Sequence, residues 1–301
     1  MVTFIDKLRE REDLVTNGTS ACKGCGGEML LRRTLKIAGP NSICIIPPGC
    51  MAGAGSIGWD ETSGMKIPVT LSLLTNTASF AAGVSRYYQK IGREDVNVIA
   101  FAGDGATADA GFQALSGACE RNEKILYVCY DNEGYMNTGY QRSSTTSEGS
   151  RTSTTPIGKL HKGKPEPSKF LPLIMLMHNP EYMATASPSN MNDFVKKVEK
   201  GVEASKRGFA YLHLFAPCPT GWGYKSEESI EFARNAVKSN IFPLIEYENG
   251  KLEVRKNPNP MKVKEFINGI KKYRHMDESA IELLQETTDH RMEILSKLED
   301  K

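Results

Sequence analysis

The sequence is poorest in the features that would place it outside ordinary globular chemistry. Thirty-eight basic and 36 acidic residues in 301 leave a net charge of +2, so there is none of the strongly basic surplus that marks a nucleic-acid binder. The uncharged stretch over residues 41–59 matches a membrane span in length. It carries two prolines and four glycines, however, which argues for strand and loop, so no membrane partner is expected. The opening MVTFIDKLREREDL is charged and has no apolar signal core, so a cytoplasmic location is expected. Tryptophan is scarce, with only Trp59 and Trp222, both beside glycine-rich turns where packing at a site, an interface or the surface is expected. The five histidines show no metal-ligand spacing, and His213, inside the apolar run FAYLHLF, is expected to be a satisfied structural residue. No internal repeat appears at solenoid periods.

What is present is an alternation of strand and helix patterns. EMLLRRTLKIA (28–38) reads as an amphipathic helix stopped by Gly39-Pro40, and NSICII as a short buried strand. The second half of 69–91 reads as a helix, VNVIAFA (96–102) as a buried strand, and 110–121 as a helix. KILYVCYDN (124–132) and FAYLHLF (209–215) are further buried strands, with a helix over 190–206 between them. This pattern predicts an α/β fold, a mainly parallel sheet flanked by helices. The Ser/Thr-rich stretch 143–156 has no period; it is either a flexible loop or an active-site element. EYENGKLEV reads as a hairpin, and a charged helical tail with a sticky face of Val263, Phe266, Ile267 and Ile270 follows it. The expected division is an α/β domain over 1–245 and a mostly helical C-terminal extension over 246–301, packed on that domain or on a partner.

The seven cysteines sort into two groups. Cys44, Cys119 and Cys129 lie in apolar or helical runs and read as small buried hydrophobes. Cys22, Cys25, Cys50 and Cys218 lie in glycine- or proline-rich loops, where backbone can wrap a metal centre. Four thiolates suit zinc or an iron–sulfur cluster, and ligand type alone does not decide. Only one C-x₂-C knuckle is present, whereas zinc ribbons bring two.

Gly103-Asp104-Gly105 falls between the end of one strand and the start of a helix, where open α/β sheets bind ligands and a helix N-terminus receives phosphate. Asp131-Asn132-Glu133-Gly134 closes the next strand. Two oxygen-rich turns on adjacent strand ends can share one Mg²⁺ that bridges to a diphosphate. Gly53-x-Gly55-x-x-Gly58 spells a dinucleotide fingerprint but lacks its strand–turn–helix setting and reads as chance. Lys23 and the basic stretch HKGKPEPSK (161–169) read as solvated.

GDG followed by an asparagine 28 residues after its aspartate is similar to the thiamine-diphosphate signature. With GFQALSGACERNEKILYVCYDNEGYMNTGYQRSSTT, CKGCGG, PPGC and APCPTGWG, the chain resembles the β subunit of pyruvate:ferredoxin oxidoreductase, a 2-oxoacid:ferredoxin oxidoreductase, over roughly residues 15–225. The resemblance implies the thiamine-diphosphate-binding fold and one [4Fe-4S] cluster on Cys22, Cys25, Cys50 and Cys218. It implies Mg²⁺ held by Asp104, Asn132 and the Gly134 carbonyl. Gly103, Asp104, Gly105, Ala106, Asn132, Glu133, Gly134, Tyr135, Met136 and Asn137 would line the diphosphate and thiazolium, with Gly27 and Cys50 beside the cofactor. Asn137 would also bond the substrate near its reacting carbonyl and is the implied catalytic residue.

The activity so implied is oxidative decarboxylation of a 2-oxo acid, pyruvate first. Electrons would leave one at a time through the cluster to ferredoxin, and coenzyme A would take the acyl group. Partner subunits (α, γ and a ferredoxin-like δ, or fusions of these) are implied, because the carboxylate that tunes the aminopyrimidine comes from a partner in this family. Glu61 and Glu133 lack the setting for that role. The alternatives are the same chemistry on a branched-chain or aromatic 2-oxo acid or on oxalate, and a non-catalytic zinc-bearing interaction module.

Overall fold

A computed structural model describes residues 8–56 and 64–299. Gly58, Trp59 and Glu61, singled out above, lie outside the described residues. The strands that read as continuous apolar runs are buried along their length: β3 (Asn97–Gly103), β4 (Leu126–Asp131) and β6 (Ala210–Phe215). Such strands are covered on both faces, the mark of a parallel sheet inside an α/β layer. With β1 (Ser42–Ile46), β2 (Val69–Leu71), β5 (Tyr182–Ala186) and the hairpin β7 (Ile245–Glu248) and β8 (Lys251–Val254), they form one eight-stranded sheet in the order β2-β1-β3-β4-β6-β5-β7-β8. The first six positions are parallel; β7 and β8 are antiparallel additions.

One face is covered by α1 (Gly26–Ala38), which buries Leu30, Leu31 and Leu35, and by α6 (Met191–Ala204), which buries Phe194, Val195 and Val198. The other carries α3 (Thr77–Lys90), α4 (Phe112–Glu120) and α5 (Leu171–Leu176). A third cluster joins α8 (Ser229–Lys238), α9 (Val263–Ile267) and the start of α10 (Glu278–Glu299) around Phe215 and Trp222. Asn249 and Gly250, with φ of 53° and 78°, make the tight turn that an Asn-Gly pair favours. Strand β7 crosses residue 245 and pairs with β5, so the hairpin beyond the expected boundary extends the same sheet. The tail packs on the same body, with Leu295 of α10 fully buried.

Three local features depart from the sequence reading. Residues 50–56, read as loop, wind into the short helix α2 (Cys50–Ser56), because a run of small residues after Gly49 offers no competing strand contact. The helix expected from 110 is preceded by a π-helical turn, Gly105–Ala110, directly after β3. Thr107 Oγ1 donates to the Gly103 carbonyl (2.7 Å) and ties that wide turn to the strand end. The stretch 161–169 is only partly solvated: Lys164 is buried, its ammonium donating to the carbonyls of Glu166 (2.5 Å) and Pro167 (3.2 Å).

Candidate active site

The carboxyl ends of β1, β3 and β4 meet where the chain runs outward from β1 to β2 and then returns to the other side with β3, the position at which doubly wound sheets open a crevice. A cleft of about 120 Å³ occupies it. Its walls bring together most of the expected residues: Cys50, the turn Gly103–Ala106, and Asn132, Gly134, Tyr135, Met136 and Asn137. Pro48, Leu74, Tyr130 and Thr138 also line it and were not anticipated. Gly27 lies beneath the wall in α1; a Cβ there would stand 3.2 Å from Met51 and 3.5 Å from the Tyr130 ring.

Asp104 and Asn132 face each other across the strand ends. The Asn132 amide, with its NH₂ turned inward, lies 3.0 Å from Asp104 Oδ1 and 2.8 Å from the Gly134 carbonyl oxygen. Burial, followed by the neighbouring Asp131 charge, pushes the Asp104 carboxyl well above its ordinary value. Asp131 is equally buried, yet it is held below its ordinary value by His213, whose Nε2 lies 2.9 Å from Oδ2. His213 Nδ1 meets the Tyr211 hydroxyl at 2.8 Å, so the histidine is satisfied, as expected. Thr145 Oγ1 lies 3.0 Å from Asp104 Oδ2 and 2.9 Å from Asp131 Oδ1. Thr145 belongs to the Ser/Thr-rich stretch, which is buried here and is part of the site; Ser143, Thr146 and Ser150 are likewise inside.

Glu133 departs from its expected role. Its side chain turns away from the cleft, where Ser147 Oγ (2.9 Å) and Lys272 Nζ (2.5 Å) hold Oε2. The reason is conformational: φ of 62° at Glu133 reverses the chain between Asn132 and Gly134 and throws the side chain to the opposite side.

The four loop cysteines lie next to this cleft, separate from the buried Cys44, Cys119 and Cys129. Three stand at helix starts: Cys25 caps α1, Cys50 opens α2 and Cys218 caps α7 (Pro219–Trp222). Cys25 Sγ accepts from the Glu28 N–H (3.5 Å), and Cys218 Sγ from the Gly221 N–H (3.3 Å). Burial pushes the Cys50 thiol up to about 12, and charge on Cys25, Cys218 and Cys22 adds to that. Cys218 is pushed up to about 11 by burial, opposed by the Gly221 N–H and raised again by Cys25 and Cys22. All four sulfurs therefore lie within one another's field. Among the described residues, no three His, Cys, Asp or Glu side chains stand close enough together to grip a single ion. Lys23 is exposed, as expected.

This arrangement fits both groups that the sequence implies. Asp104, the Asn132 side chain and the Gly134 carbonyl converge, and with the Asn132 amide oxygen turned inward in place of its NH₂ three oxygens would meet there, a donor set that suits a hard cation. Four neighbouring sulfurs, two of them already accepting backbone N–H bonds, suit a metal cluster that takes thiolates.

Comparison with known proteins agrees with the geometry. Residues 49–214 match the family described as "Thiamine pyrophosphate enzyme, C-terminal TPP binding domain". Subunit PorB of the pyruvate synthase of Methanothermobacter thermautotrophicus is 43% identical over 279 residues, spanning 92% of this chain and 96% of that one. The chain belongs to the thiamine pyrophosphate enzymes, among the β subunits of the 2-oxoacid:ferredoxin oxidoreductases. The β subunit of the NADH-dependent phenylglyoxylate dehydrogenase of Aromatoleum evansii is 45% identical over 282 residues, 93% of this chain but only 63% of that longer subunit. The 2-oxoglutarate:ferredoxin oxidoreductase of Magnetococcus marinus shares the fold of this β subunit, with a TM-score of 0.58 at 22% identity over 73% of this chain and 79% of that one.

Two further side chains stand behind the cleft, one of them, Trp222, already expected to pack at a site, an interface or the surface. Trp222 is fully buried, and its Nε1 donates to the Asn132 carbonyl (2.8 Å). Lys272, from the tail, reaches Glu133 just behind the cleft. Lys272 has no signal in a lone sequence, since it acts through a contact made only by the fold. Among the described residues no helix is long and apolar enough to cross a membrane.

Proposed function

We propose that this chain carries the thiamine diphosphate, Mg²⁺ and [4Fe-4S] cluster of a cytoplasmic 2-oxoacid:ferredoxin oxidoreductase, with pyruvate, coenzyme A and oxidised ferredoxin as substrates. The observation that carries the reading is the convergence of Asp104, Asn132 and the Gly134 carbonyl at the mouth of a cleft walled on one side by Cys50. Thiamine diphosphate, when bound, supplies an electron sink for loss of CO₂. The chain's own part is binding and orientation. Asp104, Asn132 and Gly134 hold the metal, and the Gly103–Ala106 turn lets backbone approach the diphosphate. Asn137, exposed at the cleft rim, is placed to donate a hydrogen bond to the substrate carbonyl.

Cys22, Cys25, Cys50 and Cys218 hold the cluster beside that cleft, which keeps the electron path short. The single C-x₂-C knuckle, Cys22 and Cys25, where zinc ribbons bring two, supports a cluster over zinc. Partner subunits of α, γ and ferredoxin-like δ type complete the enzyme; relatives named as β subunits or PorB support that reading.

A second substrate reading has a specific support. The relative named for phenylglyoxylate is 45% identical and the one named for pyruvate synthase 43%, so an aromatic 2-oxo acid stands beside pyruvate. The test is anaerobic purification with co-purifying subunits, followed by viologen reduction on a panel of 2-oxo acids and oxalate, with and without coenzyme A. Fast, CoA-dependent reduction with pyruvate is expected. A preference for phenylglyoxylate would replace the substrate and keep the chemistry. A complex that contains zinc, lacks iron and reduces nothing would overturn the reading.

A further inference from the structure

Lys272 comes from the C-terminal segment, to which the sequence assigned no function, yet its side chain is only 1% exposed. Its ammonium lies 2.5 Å from Glu133 Oε2, 4.0 Å from the centre of the Trp222 indole and 4.7 Å from that of the Tyr273 ring. Two of these contacts, to Glu133 and Trp222, lead on to a cofactor turn. Glu133 directly follows Asn132, and its left-handed φ of 62° is costly for a residue with a side chain unless the surroundings fix it. The ion pair with Lys272 and the hydrogen bond from Ser147 hold its side chain, while Asp131 and Thr146 hold its backbone N–H and carbonyl. Trp222 donates to the Asn132 carbonyl and also closes the short helix that Cys218 caps. One buried ammonium thus braces the turn that carries Asn132 and the turn that carries Cys218.

A buried ion pair is weak evidence of stability in itself, because desolvation offsets the attraction; its better-attested use is to specify an arrangement. Here the charge also has a direction. The ammonium sits over Trp222, whose backbone N–H donates to the Cys218 carbonyl (2.9 Å), so the positive charge stands beside the cysteine turn. Glu133, paired with the ammonium, carries the opposite charge and so acts in the opposite sense.

We infer that Lys272 is a positioning residue for both cofactor turns and that it sets, against Glu133, the local field at the cluster. The inference rests on the cluster and the metal–diphosphate site proposed above. Its test is made on the anaerobically purified complex carrying Lys272→Met, Lys272→Arg, Glu133→Gln or the double change Lys272→Met with Glu133→Gln. Two quantities are read: the cluster midpoint, by redox titration followed by electron paramagnetic resonance, and the affinity for thiamine diphosphate plus Mg²⁺, by calorimetry.

Removing the cation moves the midpoint to more negative potential, because reduction adds an electron no longer stabilised by it. Removing the carboxylate moves it to more positive potential. The double variant returns towards the wild type, and Lys272→Arg keeps its midpoint. Affinity for thiamine diphosphate plus Mg²⁺ falls about tenfold in the single neutralising variants, the usual effect of losing an outer-shell partner. A packing role alone would not produce opposite midpoint shifts. Equal midpoints across cluster-loaded variants overturn the inference; if Lys272→Met does not fold, an unchanged midpoint in Glu133→Gln does the same. A wild-type complex without iron overturns the proposed function itself, and that is seen before any variant is made.

Discussion

The hydroxyl of Thr145 has one proton and two carboxylates within reach, Asp104 at 3.0 Å and Asp131 at 2.9 Å. It can donate to only one of them. The other contact is satisfied when Asp104 carries a proton, which agrees with the upward shift that burial and Asp131 impose on it. Thr145→Val removes this bridge and leaves carboxylate oxygens unpaired in the interior, at a cost of about 1–3 kcal/mol. Urea melts should show that loss, calorimetry should show weakened Mg²⁺-dependent binding of thiamine diphosphate, and Thr145→Ser should restore both. A valine variant equal to the wild type in both would remove Thr145 from the site. Asp104 and Asn132 were legible in the sequence because each ends a strand at a fixed spacing. Thr145 was not, because the stretch around it has no period and only the fold selects which hydroxyl points inward. Glu133 misled for a related reason: a positive φ reverses its side chain, and residue type does not announce one outside glycine.

Among the elements, the start of α1 decides whether the cysteines meet. The Gly26 N–H donates to the Pro217 carbonyl (3.0 Å), which brings the cap of α1 against the turn that ends at Cys218. A Cβ at Gly26 would stand 2.6 Å from Pro217 N and 2.8 Å from Ala216 C, backbone atoms that cannot give way. Gly26→Ala should therefore push α1 away and drop iron and sulfide content to near zero, by colorimetric assay, while the far-ultraviolet dichroism stays that of a folded α/β protein. Full iron content would show that the cysteines meet without this contact. The sorting of loop from core cysteines was visible in sequence because glycine and proline surround the first group. That three of them would start helices was not, since α2 and α7 are too short to show a period.

At the other edge, Lys200 of α6 clamps the hairpin through Glu246 (2.7 Å) and Glu248 (2.9 Å). Although burial opposes it, the hydrogen bonds from Lys200 and Tyr182 hold the Glu246 carboxyl below its ordinary value. A depressed carboxyl stabilises the fold above its unfolded pKa and loses that contribution as pH falls through the folded one. Glu246→Gln should therefore cost about 1 kcal/mol at neutral pH, discounted for partial exposure, and the cost should shrink as thermal melts are taken below pH 4.5. A cost that stays constant down to pH 3 would place its origin elsewhere.

For the whole molecule, the important fact is which side of the cleft stays open. The fold class, the parallel sheet and the helical tail could be read from alternating periods, but the sheet's carboxyl-end surface could not, because it is assembled from turns far apart in sequence. Leu71 and Leu73 are 55% and 65% exposed, and Phe80 follows at 37% near the start of α3. Leu74, next in the chain, already lines the cleft. Water contact at such a run costs about 25 cal/mol for each Å² of apolar surface, a cost that an apolar partner surface would remove. In an enzyme whose relatives are named as subunits, another subunit is the expected cover. Leu73→Asp combined with Phe80→Asp should thus leave the isolated chain as stable as before, within about 0.5 kcal/mol for exposed positions. The same pair should abolish co-purification of the other subunits and with it viologen reduction, while the cluster remains loaded. The isolated wild-type chain should behave like that variant, brown but inert. Turnover by the isolated chain, or an intact complex from the double variant, would show that the cleft is complete without a partner on this side.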